Sequence, residues 1–210
     1  MENKINVIDK LASSLDRRDE VPNQELAKEI VLTKNKKAIK ELIDNLPNKK
    51  AIQNDCIKVL YEIGEQDPKL IADYISDFVA HLDSKNNRLQ WGAMTALGTI
   101  AAERPKEIYA VLTTIISAAD KGSVITKDHA VNILIKLCAI EKYSDNAFAL
   151  LNEQLLKSPT NQLPMYAERA LPIVNHKNKN LFVKTLTSRL NEIEKVTKRK
   201  RVEKVIKKLN

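Results

Sequence analysis

Side chains able to do covalent chemistry are scattered along this chain. His81, His129 and His176 are far apart, and no His or Cys pair has the spacing of a metal-ligand set, so neither a metal nor a cofactor is expected. Glycine occurs only at 64, 92, 98 and 122, which leaves no room for a phosphate-cradling loop or a dinucleotide fingerprint. No serine lies in a nucleophile-elbow sequence. Asp128 and His129 are adjacent, but neighbours on a helix point about 100° apart and do not face one another. The spacing does gather a set suited to noncovalent recognition. Asn54, Trp91, Asp128 and Met165 recur every 37 residues, as do Lys58, Thr95, Asn132 and Arg169, and Tyr61 joins them one turn on. A second set, Lys198, Arg199, Lys200, Arg201, Lys204, Lys207 and Lys208, crowds around the apolar seam of Val202, Val205, Ile206 and Leu209, a pattern able to neutralise phosphates.

The elements that must position these residues follow from one stretch, 83–104. Ala93, Leu97 and Ile100 fall at i, i+4 and i+7 on one face, with Arg88, Trp91 and Thr95 on the other, as a helical period requires. Moving back 37 residues puts Cys56, Leu60 and Ile63 at the apolar positions; moving forward gives Ala130, Leu134 and Leu137, then Ala167, Leu171 and Val174. A small residue, then Leu, then an aliphatic one at fixed spacing marks a stacked helical repeat. Pro68 and Pro105 repeat with the same period, each suited to a first helical turn.

Composition agrees with an all-α class. Of 210 residues, 43% are hydrophobic and 30% charged, while four Gly and seven Pro leave little turn chemistry for hairpins. Cys56 and Cys138 occupy positions where other copies carry alanine, so both are expected to be reduced, structural core residues, in keeping with a cytoplasmic location. Residues 1–4 lead into no signal-peptide apolar region, and no run approaches the roughly 18 apolar residues of a membrane span, so no membrane partner is expected.

Residues 1–34 read as N-terminal capping helices, with stripes Ile5, Ile8, Leu11, Leu15 and then Leu26, Ile30, Val31; residues 35–176 read as the repeats; residues 177–210 read as a basic C-terminal repeat or cap. The whole is expected to be one continuous domain. Leu150, Leu151, Leu155 and Leu156 are displaced by two residues from the period, which predicts a longer loop over 141–145. Pro172 predicts an early end to the helix that begins near Met165.

On these residues the stretch 36–209 resembles HEAT or armadillo-type repeats, antiparallel helix pairs stacked into a right-handed α-solenoid. Asp83, Ala93, Ala96, Leu97 and Gly98 match the family's second helix, while Gln90 stands where a basic residue is usual and Arg88 lies two places earlier. The resemblance implies a concave surface lined by second helices, where Lys58, Trp91, Thr95, Asp128, Asn132 and Arg169 would meet a partner. Trp91 is the only Trp and points roughly 160° from Ala93; it either anchors an interface or is covered by neighbouring helices.

From His176 to the end, twelve Lys or Arg stand against three Glu, and the other 175 residues carry 23 basic and 24 acidic groups. The tail is thus either a solvated cap or a nucleic-acid contact. The expected function is non-catalytic binding of a macromolecule, most readily a protein, with no small-molecule site evident. The alternative is nucleic-acid binding. Some HEAT-like solenoids resemble alkylpurine DNA glycosylases, which hold DNA with Trp, Asp and Arg, and Trp91, Asp128 and Arg169 lie on three successive second helices; Thr95 stands where those enzymes carry the Asp.

Overall fold

The structure, a computed structural model, describes residues 6–209, and within them every regular element is helical. Ile5 and the opening tetrapeptide lie outside the described residues. The chain forms two compact units, Met1–Ala130 and Val131–Asn210.

The first unit begins with two short 3-10 turns, Val7–Lys10 and Ala12–Leu15, in place of the expected helical stripe. Val7, Leu11 and Ala12 face inward while Leu15 is half exposed, because the tighter 3-10 spacing brings different residues onto one side than an α-helix would. Helices α1 (Val21–Thr33), α2 (Lys36–Asp44) and α3 (Lys50–Gln66) follow. Asn35 caps α2 by accepting the Ala38 N–H, and Ile39, Leu42, Ile43 and Leu46 are buried, as their spacing predicts. The 3-10 turns Pro68–Leu70 and Ala72–Tyr74 lead into α4 (Ile75–Ala80), and then come α5 (Asn87–Ile100), α6 (Pro105–Ala110) and α7 (Leu112–Lys121). Helix α8 (Val124–Cys138) contains the division between the units.

The core follows the repeat. Cys56, Leu60, Ile63, Ala93, Leu97, Ile100, Ala130, Leu134 and Leu137 are all at most 1% exposed. Helices α3 and α5 approach closely because glycine stands at two crossing points. A Cβ at Gly92 would sit 2.6 Å from Ile57 Cγ1, and one at Gly64 would collide with the Thr99 hydroxyl. Asn86 ties the same pair together. Its Oδ1 caps α5 at Arg88 N, while its Nδ2 donates to Gln53 Oε1 at 3.0 Å and Asn54 Oδ1 at 2.9 Å. Gln90 donates to the Leu82 carbonyl at 2.7 Å, so an uncharged amide at the usual basic position secures the turn through backbone.

The second unit contains α9 (Glu141–Lys157), α10 (Leu163–Ala170), α11 (Lys179–Ser188) and α12 (Val196–Leu209). The expected loop over 141–145 is instead the start of α9, where Glu141 in the first turn complements the helix dipole. The two-residue slip in the period reflects an unbroken first helix here, whereas Val111 interrupts the equivalent segment between α6 and α7. Helix α10 stops at Ala170 and passes into a 3-10 turn, Leu171–Ile173, since Pro172 has no N–H to continue the helix. Leu171 and Val174 are consequently only half buried. Phe148 and Phe182 pack with ring centroids 6.4 Å apart, joining α9 to α11. Arg189, 7% exposed, donates to the Leu155 carbonyl at 2.7 Å, the Ser158 carbonyl at 2.8 Å and Glu192 at 2.6 Å, closing the C-terminus of α9.

Candidate functional site

The residues that recur opposite the core stripe sit on α3, α5, α8 and α10, and their surroundings differ. In the first unit they condense into one cluster. Trp91 is half-buried on α5, and its ring lies 5.6 Å from that of Tyr61 on α3, tilted by 46°. Tyr61 is itself 7% exposed, so a fixed aromatic floor supports Trp91. Thr95 is buried; its hydroxyl donates to the Trp91 carbonyl at 2.8 Å, one turn back. Lys58 is buried as well. Its ammonium lies 4.8 Å over the Tyr61 ring, donates to Glu62 at 2.5 Å and meets Glu20 at 3.1 Å. The second oxygen of Glu20 pairs with Arg88, so one carboxylate at the start of α1 bridges cations on α3 and α5.

Electrostatics in this cluster follow from burial and pairing. Burial pulls the Lys58 pKa down, but the bonds to Glu62 and Tyr61 outweigh it and leave the group above its ordinary value. Burial raises the Tyr61 phenol, and it raises Glu65, with Glu62 adding to the effect. Glu20 and Glu62 were legible only in part. The Lys58–Glu62 pair has helical i, i+4 spacing, whereas nothing in the local pattern ties Glu20 to residues 38 and 68 positions downstream.

Asp128 sits half buried on α8 in the first unit. In the second, Arg169 is exposed on α10 and donates to Asn132 Oδ1 at 3.2 Å, linking two of the expected residues; Met165 is half buried. Of the trio suggestive of base excision, Trp91 thus takes Tyr61 as its ring neighbour and Arg169 takes Asn132 as its acceptor. Among the described residues, no group of three His, Cys, Asp or Glu is placed to hold a metal ion. Cys56 and Cys138 are buried free thiols, and burial pushes each up to about 12, with Asp55 and Glu41 adding to the effect at Cys56. At that value neither is a nucleophile near neutral pH.

The basic residues of the tail divide by face. On α12, Lys198 donates to the Asn161 carbonyl at 3.1 Å and its side-chain oxygen at 2.8 Å, and Arg201 grips Glu168 through two bonds at 2.8 and 2.5 Å. Arg199 is half-buried; Lys200, Lys204, Lys207 and Lys208 are exposed.

No protein-family model matches the sequence, and no curated protein does. Solved structures do match in shape. A designed armadillo repeat protein in complex with the peptide (KR)4 superposes with a TM-score of 0.63 at 14% identity, covering 99% of this chain and 100% of that one. This chain has an armadillo-like helical repeat fold. A second designed armadillo repeat protein gives a TM-score of 0.58 at 14% identity, covering 97% of this chain and 100% of its own. An engineered protein gives 0.59 at 19% identity over 97% of this chain and 100% of that one. At such identities the likeness speaks for the all-α repeat fold alone. Among the described residues no helix is long and apolar enough to cross a membrane.

Proposed function

We propose that this armadillo-like chain is a non-catalytic module of the cytoplasm that binds a segment of a partner protein on its second-helix face, with Trp91 as the anchor. The observation that carries the reading is the half-buried Trp91 ring, held on a buried Tyr61 and ringed by the Glu20, Lys58 and Arg88 charges. An amphipathic ring of that size on a rigid floor gives contact area at small ordering cost. The surrounding charges add direction and specificity more than raw affinity. Lys58 and Thr95 act from beneath, holding Tyr61 and Trp91. Asp128 extends the set onto α8 within the first unit, while Asn132 and Arg169, bonded to each other, are a separate candidate contact in the second. A designed protein of this fold was solved with a peptide bound, which supports a peptide or protein partner. The two buried, unoxidised thiols support a reducing compartment.

The test uses Trp91 as its own reporter, since it is the only Trp. The full chain is panned against a displayed library of nine-residue peptides, with (KR)4 as an added probe, and hits are titrated by tryptophan emission. The expected result is a family of related peptides that shift the emission and bind at least tenfold more weakly to Trp91→Ala. Absence of any enriched sequence, or hits indifferent to Trp91→Ala when followed by calorimetry, would refute the reading.

A further inference from the structure

Helix α12 carries its cations on two sides with different occupations. The inward side is spoken for: Val202 and Val205 are buried, Arg201 is clasped to Glu168, and Lys198 is bonded to Asn161. On the outward side, Lys200, Lys204, Lys207 and Lys208 fall within an arc of about 100°, at about 100° per residue. Among the described residues none of these four is in an ion pair, and Glu203, at the flank of the arc, is the only acidic residue of the helix. Lys200, Lys204 and Lys208 form one row, successive members advancing about 6 Å along the axis. Like charges at i, i+4 repel, so this row opposes the helix that carries it. Glu168, which feels Lys204 and Lys208 as well as Arg201, offsets that repulsion only in part, because two bonds already commit it to Arg201. A local conflict of that kind, on a helix where Lys198 and Arg201 have acceptors within the chain, points to a partner outside it.

We infer that the outward face of α12 docks the phosphodiester backbone of a nucleic acid without reading its sequence. The inference goes beyond the protein-binding reading and uses none of its residues. A bilayer is disfavoured, because the apolar seam of α12 is buried in protein and an interfacial helix needs that face free. An acidic protein surface is disfavoured too. Lysine is depleted at protein interfaces, and carboxylates are gripped best by the arginine fork, which here is turned inward on Glu168. Phosphates suit the row, since lysine serves them as a point charge and a duplex presents one negative charge about every 1.7 Å of axis.

The experiment is a polarisation titration of a labelled 20-base-pair duplex with the full chain, at 50 and 200 mM NaCl. Four phosphate contacts predict a log–log salt slope of about −3.6, or roughly a hundredfold loss between the two conditions. Replacing Lys200, Lys204, Lys207 and Lys208 together by Gln is expected to weaken binding at 50 mM at least thirtyfold with the melting midpoint unchanged or raised. Replacing Lys36, Lys37, Lys177 and Lys179 by Gln, the same change in net charge elsewhere, is expected to cost less than about threefold. If the quadruple variant fails to fold, the single Lys204→Glu variant decides the matter through a slope shallower by about one. Equal losses in both quadruple variants, an unchanged slope in Lys204→Glu, or no binding at 50 mM overturns the proposal. So does sedimentation with phosphatidylserine vesicles in the absence of duplex binding, or displacement of the duplex by polyglutamate as readily as by unlabelled duplex.

Discussion

Trp91 and Tyr61 lie on successive second helices with ring centroids 5.6 Å apart and planes tilted by 46°, so one aromatic side chain is buried in order to hold the other at the surface. A tilted pair contributes about 0.5–1.5 kcal/mol beyond its burial. Since the ring is also largely buried, Trp91→Ala is expected to cost about 2–4 kcal/mol in all, a shift of roughly 4–16 °C in melting for a chain of this size. Peptide affinity should fall by tenfold or more in the same variant. Calorimetry of melting and of binding separates the two effects, and a melting loss with peptide affinity unchanged would make Trp91 a core residue.

Gly92 allows α5 to rest directly on Ile57 of α3. An added methyl there meets the branched Ile57 side chain at 2.6 Å with buried neighbours behind it. Overpacking of this kind costs about 1–3 kcal/mol. Gly92→Ala should lower the urea midpoint accordingly despite the better helix propensity of alanine. An unchanged midpoint would mean that the helices separate freely.

Arg189 is a buried cation that lives on carbonyls, and its planar fork reaches Leu155, Ser158 and Glu192 at once. Lysine cannot reproduce that geometry. Arg189→Lys is expected to destabilise the second unit by about 2–4 kcal/mol, as removal of partners leaves buried carbonyls unpaired. Hydrogen exchange at the C-terminal turn of α9 should show the loss first.

The pH dependence of the α12 clasp has a definite sign. The Arg201 guanidinium beside Glu168 holds its carboxyl below the ordinary value of 4.5. A depressed folded pKa means that the stability it brings is present above the unfolded value and is lost as pH falls through the folded one. Both side chains are more than two-fifths exposed, so the effect is small. Wild type should exceed Glu168→Gln in urea stability at pH 6, and the gap should narrow as the pH is taken down below 4.5. A gap that does not change with pH would show that the carboxyl acts through packing rather than charge.

How much of this was legible follows from the range of each cause. The stripe Cys56, Leu60, Ile63 and its copies could be read because periodicity belongs to a single helix, and burial follows it through Leu137. Residues 141–145 were misplaced in a loop because a slip in the period reveals that something differs but not where it is absorbed. The opening turns adopt 3-10 geometry, which an α-helical wheel does not describe. At the site, the wheel puts Lys58 and Thr95 opposite the core stripe, and the structure has both buried there. The wheel could not show that Glu20 arrives from another element to cover Lys58, since that contact spans the fold rather than a turn. Trp91 and Tyr61 were legible as positions, while their ring contact required the close approach that Gly64 and Gly92 permit.

The constant repeat spacing also bears on how the first unit comes to exist. Helix α3 packs against α1, α2 and α5, elements within about one repeat of it in the chain. Loops of a few dozen residues are inexpensive to close, because closure entropy grows only logarithmically with length. A chain whose partners are all near neighbours has no need to bring its ends together before anything is gained. Assembly can start at α3, which has partners on both sides, and spread outward. The aromatic pair on α3 and α5 is then among the first tertiary contacts to form, so the surface offered to a partner is in place while the flanking turns are still being added.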